Sequence, residues 1–267
     1  MDDYRKRIVE RKAELDVLRP LSHDLLASLR SHLDVELTYT SNAIEGNTLT
    51  LRETAEIIEH GITVGAKPIK DYLEALDHHD AIRWMREQAD TNEPLGEATI
   101  TELHRRIVLR SNPDIAGNYS SFPRRITGSA VILPNPAKIP LLMQNLGERI
   151  SRISPDPADA FDAHYRLVAI HPFADGNGRT ARLLMNLVLL KNGFPPISVR
   201  PEDRAEYLRT LEHASTTEDL DPFQQLMHAR LATTLDTYVG YFHEAGIFPQ
   251  ELDAAYAAYA AQRGIDR

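Results

Sequence analysis

The sequence contains no cysteine, which removes disulfide staples, thiolate zinc sites and cysteine nucleophiles from consideration. It has no excess of basic charge either. Its 30 lysines and arginines stand against 39 acidic residues, a formal charge of -9, and this disfavours non-specific contact with a phosphate backbone. Long apolar runs are also missing: the longest, Leu183 to Leu190, is broken by Asn186 and is far too short to span a bilayer. The opening residues Met1-Asp2-Asp3-Tyr4-Arg5-Lys6 lead into no apolar signal core. The expectation is a soluble, cytoplasmic protein with no nucleic-acid and no membrane partner. What is present is ordinary for a globular chain. Over 267 residues, 42% hydrophobic and 26% charged side chains allow one large domain or two small ones with a sizeable core.

Apolar residues recur mainly at helical spacing, so the predicted fold class is all-α. Helices are expected over 2–17, 21–45 (one or two), 50–60, 69–89, 97–110, 138–152, 157–170, 178–191, 202–214 and 222–239. An alanine-rich stretch, 251–262, reads as a last helix or a frayed end. Thr50 and Glu53 form a capping box for the third helix, and Tyr72, Leu73, Leu76, Ile82 and Trp84-Met85 form a buried stripe on the fourth. The stretch 111–140 differs. Pro113, Gly117, Pro123, Gly128, Pro134, Pro136 and Pro140 punctuate it, with β-prone pieces at Arg125-Ile126 and Ala130–Leu133, which suggests a loop or small hairpin.

One run carries the chemistry: His171-Pro172-Phe173-Ala174-Asp175-Gly176-Asn177-Gly178-Arg179-Thr180-Ala181-Arg182. It joins two apolar helices. Pro172 ends the first, because the residue before a proline is pushed out of the α region. The second begins with unpaired backbone N–H groups at the positive end of its dipole, a setting that favours an anion. Gly176 and Gly178 have no side chain to keep a phosphate from that backbone. Arg179 and Arg182 project to neighbouring positions and suit bidentate phosphate contacts. Asp175 is a hard oxygen ligand suited to Mg²⁺, and His171 is the group whose ordinary pKa lets it accept a proton near neutrality. The set describes phosphate transfer or hydrolysis. It is not a P-loop, because the Gly-Lys-Ser/Thr ending is absent.

The same run resembles the motif of the Fic family, His-Pro-Phe-x-Asp/Glu-Gly-Asn-Gly-Arg-x-x-Arg, at every defined position. The resemblance implies a helical Fic fold and a protein adenylyltransferase using ATP and Mg²⁺. On that basis His171 deprotonates a Ser, Thr or Tyr hydroxyl of a target protein, and the oxygen attacks the α-phosphorus. Asp175 holds the metal, Gly176, Asn177 and Gly178 form the anion hole, and Arg179 and Arg182 grip the β- and γ-phosphates. Phe173 is expected to be a buried anchor. Tyr207 falls where relatives place a tyrosine near the nucleotide. The acceptor is a protein of unknown identity, with self-modification and a homodimer as further expectations.

A second motif, Ser41-Asn42-Ala43-Ile44-Glu45-Gly46-Asn47, is similar to the family's inhibitory pattern Ser/Thr-x-x-x-Glu-Gly/Asn. Glu45 is expected to close a helix just before Gly46, at the negative end of the dipole, where a carboxylate needs a cation. The resemblance names Arg182 as that cation and Glu45 as a brake. It also leaves open a de-AMPylating phosphodiesterase in which Glu45 positions water, and a nucleotide-sensing module with little turnover. Ile126-Thr127-Gly128-Ser129 resembles the family's flap, a hairpin that docks the target segment by strand addition. Ser120, Pro123 and the Arg124-Arg125 pair depart from the usual flap. The expected organisation is an N-terminal inhibitory region over 1–95, a catalytic core over 96–240 and a helical tail over 241–267.

Overall fold

In a computed structural model that describes residues 3–18, 23–63, 65–126, 128–152 and 154–248, the chain is helical nearly throughout. The expected helix at 251–262 and the flap residue Thr127 lie outside the described residues. Ten α-helices follow in order: α1 (Asp3–Val17), α2 (His23–Ile44), α3 (Leu51–His60), α4 (Ile69–Ala89), α5 (Glu97–Val108), α6 (Ile139–Ile150), α7 (Pro157–Ile170), α8 (Asn177–Lys191), α9 (Arg204–Thr217) and α10 (Asp221–Glu244). Where one or two helices are expected over 21–45, the described residues form a single one, α2. No helix among the described residues is long and apolar enough to cross a membrane.

The ends follow from local chemistry. Thr50 Oγ1 accepts the Glu53 N–H while the Glu53 carboxylate accepts the Thr50 N–H, a reciprocal capping box that starts α3. Gly61 ends that helix in the left-handed region at φ 66. α8 is buried on every side from Thr180 to Leu189, so it forms the centre of the molecule. α7 lies against it most extensively, α2, α4 and α5 complete the surround, and α1 lies along α10. One apolar core runs from Ile8 to Phe242, and a small second cluster of Leu49, Ile57, Tyr72 and Ala75 joins α3 to α4.

Two features differ from expectation. α4 buries Tyr72, Ala75, Ile82 and Met85, but the same helix also buries Asp71, Glu74, Asp77 and His78. The three acids are tolerated because each accepts hydrogen bonds from outside α4; Asp77, for example, takes the backbone N–H groups of Arg110 and Ser111, each at 2.9 Å. The second concerns 119–134. Its β-prone pieces form no paired strands among the described residues, where the one β-type contact is a bridge between Tyr119 and Phe173. Pro123 and Pro134 lack a donor, and an isolated two-stranded ribbon is marginal in water. Glu212 of α9 instead holds the loop, accepting from Ser129 Oγ and the Ala130 N–H at 2.8 Å each. The Ser129 N–H donates to the Ile126 carbonyl at 3.1 Å, closing a turn with Gly128 at φ 81.

α6 comes close to the backbone at the start of α5. A Cβ on Gly147 would lie 2.6 Å from the Glu97 backbone nitrogen, whereas one on Gly240 in α10 would meet nothing. Gly147→Ala is therefore expected to destabilise by about 1–3 kcal/mol, and Gly240→Ala to stabilise by roughly 0.5–1 kcal/mol through helix propensity. Urea unfolding of the two variants checks this, and shifts of the same sign would contradict the packing described.

Candidate active site

The turn between α7 and α8 is built to hold one shape. His171 sits at φ 50, ψ 55, a left-handed conformation that costs a side-chain-bearing residue on the order of 1 kcal/mol. Pro172 accounts for part of this, since it bars the preceding residue from continuing the helix. The Asn177 side chain turns inward and staples the turn, accepting from the Phe173 N–H and donating to the Phe173 carbonyl, both at 2.9 Å. Asn177 therefore contributes to any anion site through its backbone, with its side chain facing the loop. Gly176 follows at φ 75 as the N-cap of α8, and the first helical bond runs from the Thr180 N–H to the Gly176 carbonyl. That leaves the N–H groups of Asn177, Gly178 and Arg179 without intrahelical partners.

A carboxylate already sits over this helix end. A Cβ placed on Gly178 would collide with Glu45 Oε1 and lie 3.1 Å from Arg182 Nη1. Gly178 is therefore the open floor on which the carboxylate and the guanidinium meet. Glu45 comes from the end of α2, where Gly46 turns the chain at φ 94. Its Oε1 accepts from Arg182 Nη2 at 2.7 Å, and Ser41 adds two contacts to the same guanidinium, Oγ from Nε and the carbonyl from Nη2, both at 2.9 Å. Arg204 Nε donates to the Ile44 carbonyl at 2.7 Å. Two arginines thus satisfy the C-terminal carbonyls of α2 and offset the cost of a carboxylate at that end of its dipole.

The two motif arginines are placed differently. Arg179 is 2% exposed, and its Nη1 lies 3.2 Å from Glu74 Oε1 and 3.5 Å from Asn42 Oδ1. Its Nε is buried without a hydrogen-bond partner among the described residues. Asp175 Oδ1 accepts the Gly176 N–H at 2.6 Å and lies 3.7 Å from Arg179, while Oδ2 lies 3.9 Å from Lys70. Tyr207 is 1% exposed and stands behind Arg182. Arg182 Nη1 donates to its hydroxyl at 3.4 Å, so the hydroxyl is left to donate to His164 Nε2, 2.8 Å away. Ile126, Gly128 and Ser129 lie in the loop anchored by Glu212, with Ile126 partly buried.

His171 has its proton affinity lowered, first by burial and then by the charge of Arg124. The Val168 carbonyl and the carboxylates of Glu45 and Asp175 act against that. At neutral pH the imidazole is available to accept a proton.

Three side chains that hold the site carried no local motif. His104 of α5 stacks on Phe173 with ring centroids 3.7 Å apart and planes 1° from parallel. Its Nδ1 accepts the Gly117 N–H and its Nε2–H donates to the Asp175 carbonyl, both at 3.0 Å. Asp71 takes the Thr48 N–H and hydroxyl at 2.9 and 2.6 Å, and Glu74 takes Asn47 Nδ2 at 3.1 Å. The acids of α4 thus fasten the loop after Glu45, and Glu74 also holds Arg179. The i, i+3 spacing of Asp71 and Glu74 was the available signal; His104 sits among Ile100, Leu103 and Ile107 and offered none.

The residues fit a polyphosphate with one divalent metal. The N-terminus of α8 carries an acid over its free N–H groups, and Arg179 and Arg182 each face an acid, Glu74 and Glu45. Among the described residues no cluster of three metal-ligating side chains exists.

What these features describe is a helical protein in which a glutamate of the same chain lies over the N-terminus of the central helix and pairs with a buried arginine. A model of the Fic/DOC family matches residues 94–189. "Protein adenylyltransferase Fic" of Nematostella vectensis is 35% identical over 206 residues, covering 75% of this chain and 48% of that protein. "Protein adenylyltransferase fic-1" of Caenorhabditis elegans is 35% identical over 211 residues, covering 76% and 40%. The chain thus spans half or less of the length of these curated relatives. A crystal structure of a Fic domain containing signaling protein from Bacteroides thetaiotaomicron superposes with a TM-score of 0.78 at 30% identity, covering 89% of this chain and 97% of that one. The chain belongs to the Fic family.

His164 is wholly buried, and burial together with the charge of Arg182 pushes its pKa down to about 3. The unfolded chain, with an ordinary value of about 6.5, binds the proton first. Stability is therefore complete above about pH 6.5 and falls as the pH drops through the window toward 3. His164→Gln, which keeps an acceptor for Tyr207, is expected to flatten that acid limb. Urea midpoints from pH 7.5 down to pH 5 check it, and equal slopes in the two proteins would contradict it.

Proposed function

We propose that the chain is a protein adenylyltransferase that moves AMP from Mg·ATP to a Ser, Thr or Tyr hydroxyl of a protein, its own included, with Glu45 as an internal brake. The observation that carries this is the Glu45 carboxylate lying on Gly178 and paired with Arg182 at 2.7 Å, in the position a phosphate takes at a helix N-terminus. The names of the curated relatives support the reaction. The acceptor hydroxyl gives its proton to His171 as its oxygen forms a bond to the α-phosphorus and the bond to the pyrophosphate oxygen breaks. Burial keeps His171 unprotonated and able to act as general base. The N–H groups of Gly178 and its neighbours, with Arg179 and Arg182, stabilise the charge on the phosphates. Asp175, half-exposed at the mouth of the turn, would hold the Mg²⁺, which would neutralise phosphate charge when bound.

Glu45 cannot share the helix end with a phosphate. While it stays, the nucleotide is kept from the pose that aligns its α-phosphorus with the acceptor. A second reading rests on a separate observation: Glu45 lies near enough to His171 for its charge to raise the imidazole's proton affinity. In that setting it suits a water-positioning acid, and the chain would then remove AMP from a modified protein.

Labelled ATP and Mg²⁺ separate these. Glu45→Gly is expected to incorporate about tenfold more label into protein than wild type, within the usual range of a coupling between sites. Release of AMP from a modified protein that vanishes in Glu45→Gly favours the hydrolase, and nucleotide binding with neither activity leaves a sensing module. In the Glu45→Gly background, His171→Ala is expected to keep ATP affinity within about twofold and to lose transfer by roughly 10²–10⁴-fold, the span of a general base. Calorimetry and label incorporation measure the two, and full transfer without the imidazole would remove His171 from that role.

A further inference from the structure

The inference drawn here rests on the adenylyltransferase reading and concerns which protein segments the chain accepts. Two exposed cations close to the site, Arg124 and Arg125, bear on that choice. The net charge is -9, and several arginines elsewhere pair with acids: Arg86 meets Asp34, Arg110 meets Asp77 and Asp80, and Arg149 and Arg166 share Asp162. Arg124 and Arg125 meet no acid among the described residues. Both are exposed, and no backbone hydrogen bond ties either into the fold among the described residues.

Their position gives that imbalance a use. The Ser120 N–H donates to the Pro172 carbonyl at 2.8 Å, next to His171, and Arg124 Nε donates to Ser120 Oγ at 3.1 Å. This chain of contacts holds an exposed guanidinium close enough to the proton acceptor for its charge to be felt there. The same positive charge is one of the influences that lower the proton affinity of His171, after burial. The same 119–134 stretch carries two apolar side chains open to solvent, Phe122 at 72% and Ile132 at 94% exposure. A surface stretch with exposed apolar side chains and two arginines that meet no acid among the described residues suits an extended polypeptide carrying carboxylates. Nucleic acid fits poorly, because two arginines on a chain of charge -9 release few counterions.

We infer that Arg124 and Arg125 select acceptor segments in which the modified hydroxyl is flanked by aspartate or glutamate. Arg124, nearest the imidazole, meets a carboxylate beside the hydroxyl, and Arg125 meets one further along the segment. Exposed pairs of this kind act through complementarity more than through depth of binding, so the preference weakens with salt.

The test uses the full chain and three fluorescent peptides of equal length, each with one threonine flanked by aspartate and glutamate, by lysine, or by asparagine. Binding is read by anisotropy, which needs no transfer. The acidic peptide is expected to bind about tenfold more tightly than the basic one, the effect shrinking as salt rises. Arg124→Ala/Arg125→Ala is expected to abolish the preference and leave ATP affinity unchanged, while Arg124→Lys/Arg125→Lys keeps a good part of it. Equal binding of the three peptides, an unaltered preference in the double alanine variant, or tighter binding of an oligouridylate than of the acidic peptide would overturn the inference. Label transfer by Glu45→Gly is measured alongside. No transfer to any acceptor with the acidic preference intact overturns the adenylyltransferase reading alone; transfer without that preference overturns this inference alone.

Discussion

A single guanidinium organises the centre of this molecule. Arg182 projects from the most deeply buried helix, and everything it touches comes from elsewhere in the chain: Ser41 and Glu45 from the end of α2, Tyr207 from α9. A buried arginine without partners would be strongly destabilising, so the site must supply acceptors in any state it adopts. Ser41 and Tyr207 supply fixed ones. The remaining place belongs to an anion, and Glu45 occupies it.

The two members of that ion pair differ in how firmly they are held. Arg182 is buried and bonded on three sides, whereas the Glu45 side chain is 40% exposed and lies one residue before a glycine turn. Water takes over the hydrogen bonds of the half-exposed carboxylate when it leaves, but not those of the buried guanidinium, so the exchange is cheap only when another anion takes its place. The guanidinium cannot follow it out. Any conformational change at this site therefore moves the carboxylate and leaves the cation aimed at the N-terminus of α8. The acids of α4 restrain how far the loop after Glu45 travels, since Asp71 and Glu74 hold Thr48 and Asn47. The proposed brake is then an exchange of one anion for another at a fixed arginine.

Most of the helical architecture was legible because its signals are local. The capping box at Thr50 and Glu53, the proline after His171 and the glycine at position 46 each act within a few residues, and the helix limits fall close to where those residues put them. The meeting of Glu45 with Arg182 was legible through the paired motifs, and its geometry follows from a carboxylate at a helix C-terminus needing a cation. What stayed hidden depends on tertiary context. α4 reads as an apolar stripe, and nothing local says that Glu74 will serve Arg179 or that Asp77 will cap the end of α5. His104 looks like one more polar residue on a helix, and its role arises only when the 171–177 turn folds against it. Asn177 reads as part of an anion site, yet its amide is the right length to bridge the turn and is spent there. The loop around Ile126 has β-prone composition without the partner strand that would give it a ladder.

The crystal structure of Glu45→Gly with Mg²⁺ and a non-hydrolysable ATP analogue tests the central claim most directly. The claim predicts a phosphate within hydrogen-bond distance of the Gly178 N–H and Arg182, in the volume the Glu45 carboxylate fills, with Arg182 still bonded to Ser41. A triphosphate bound elsewhere, or an Arg182 swung away from α8 in the absence of the glutamate, would contradict it.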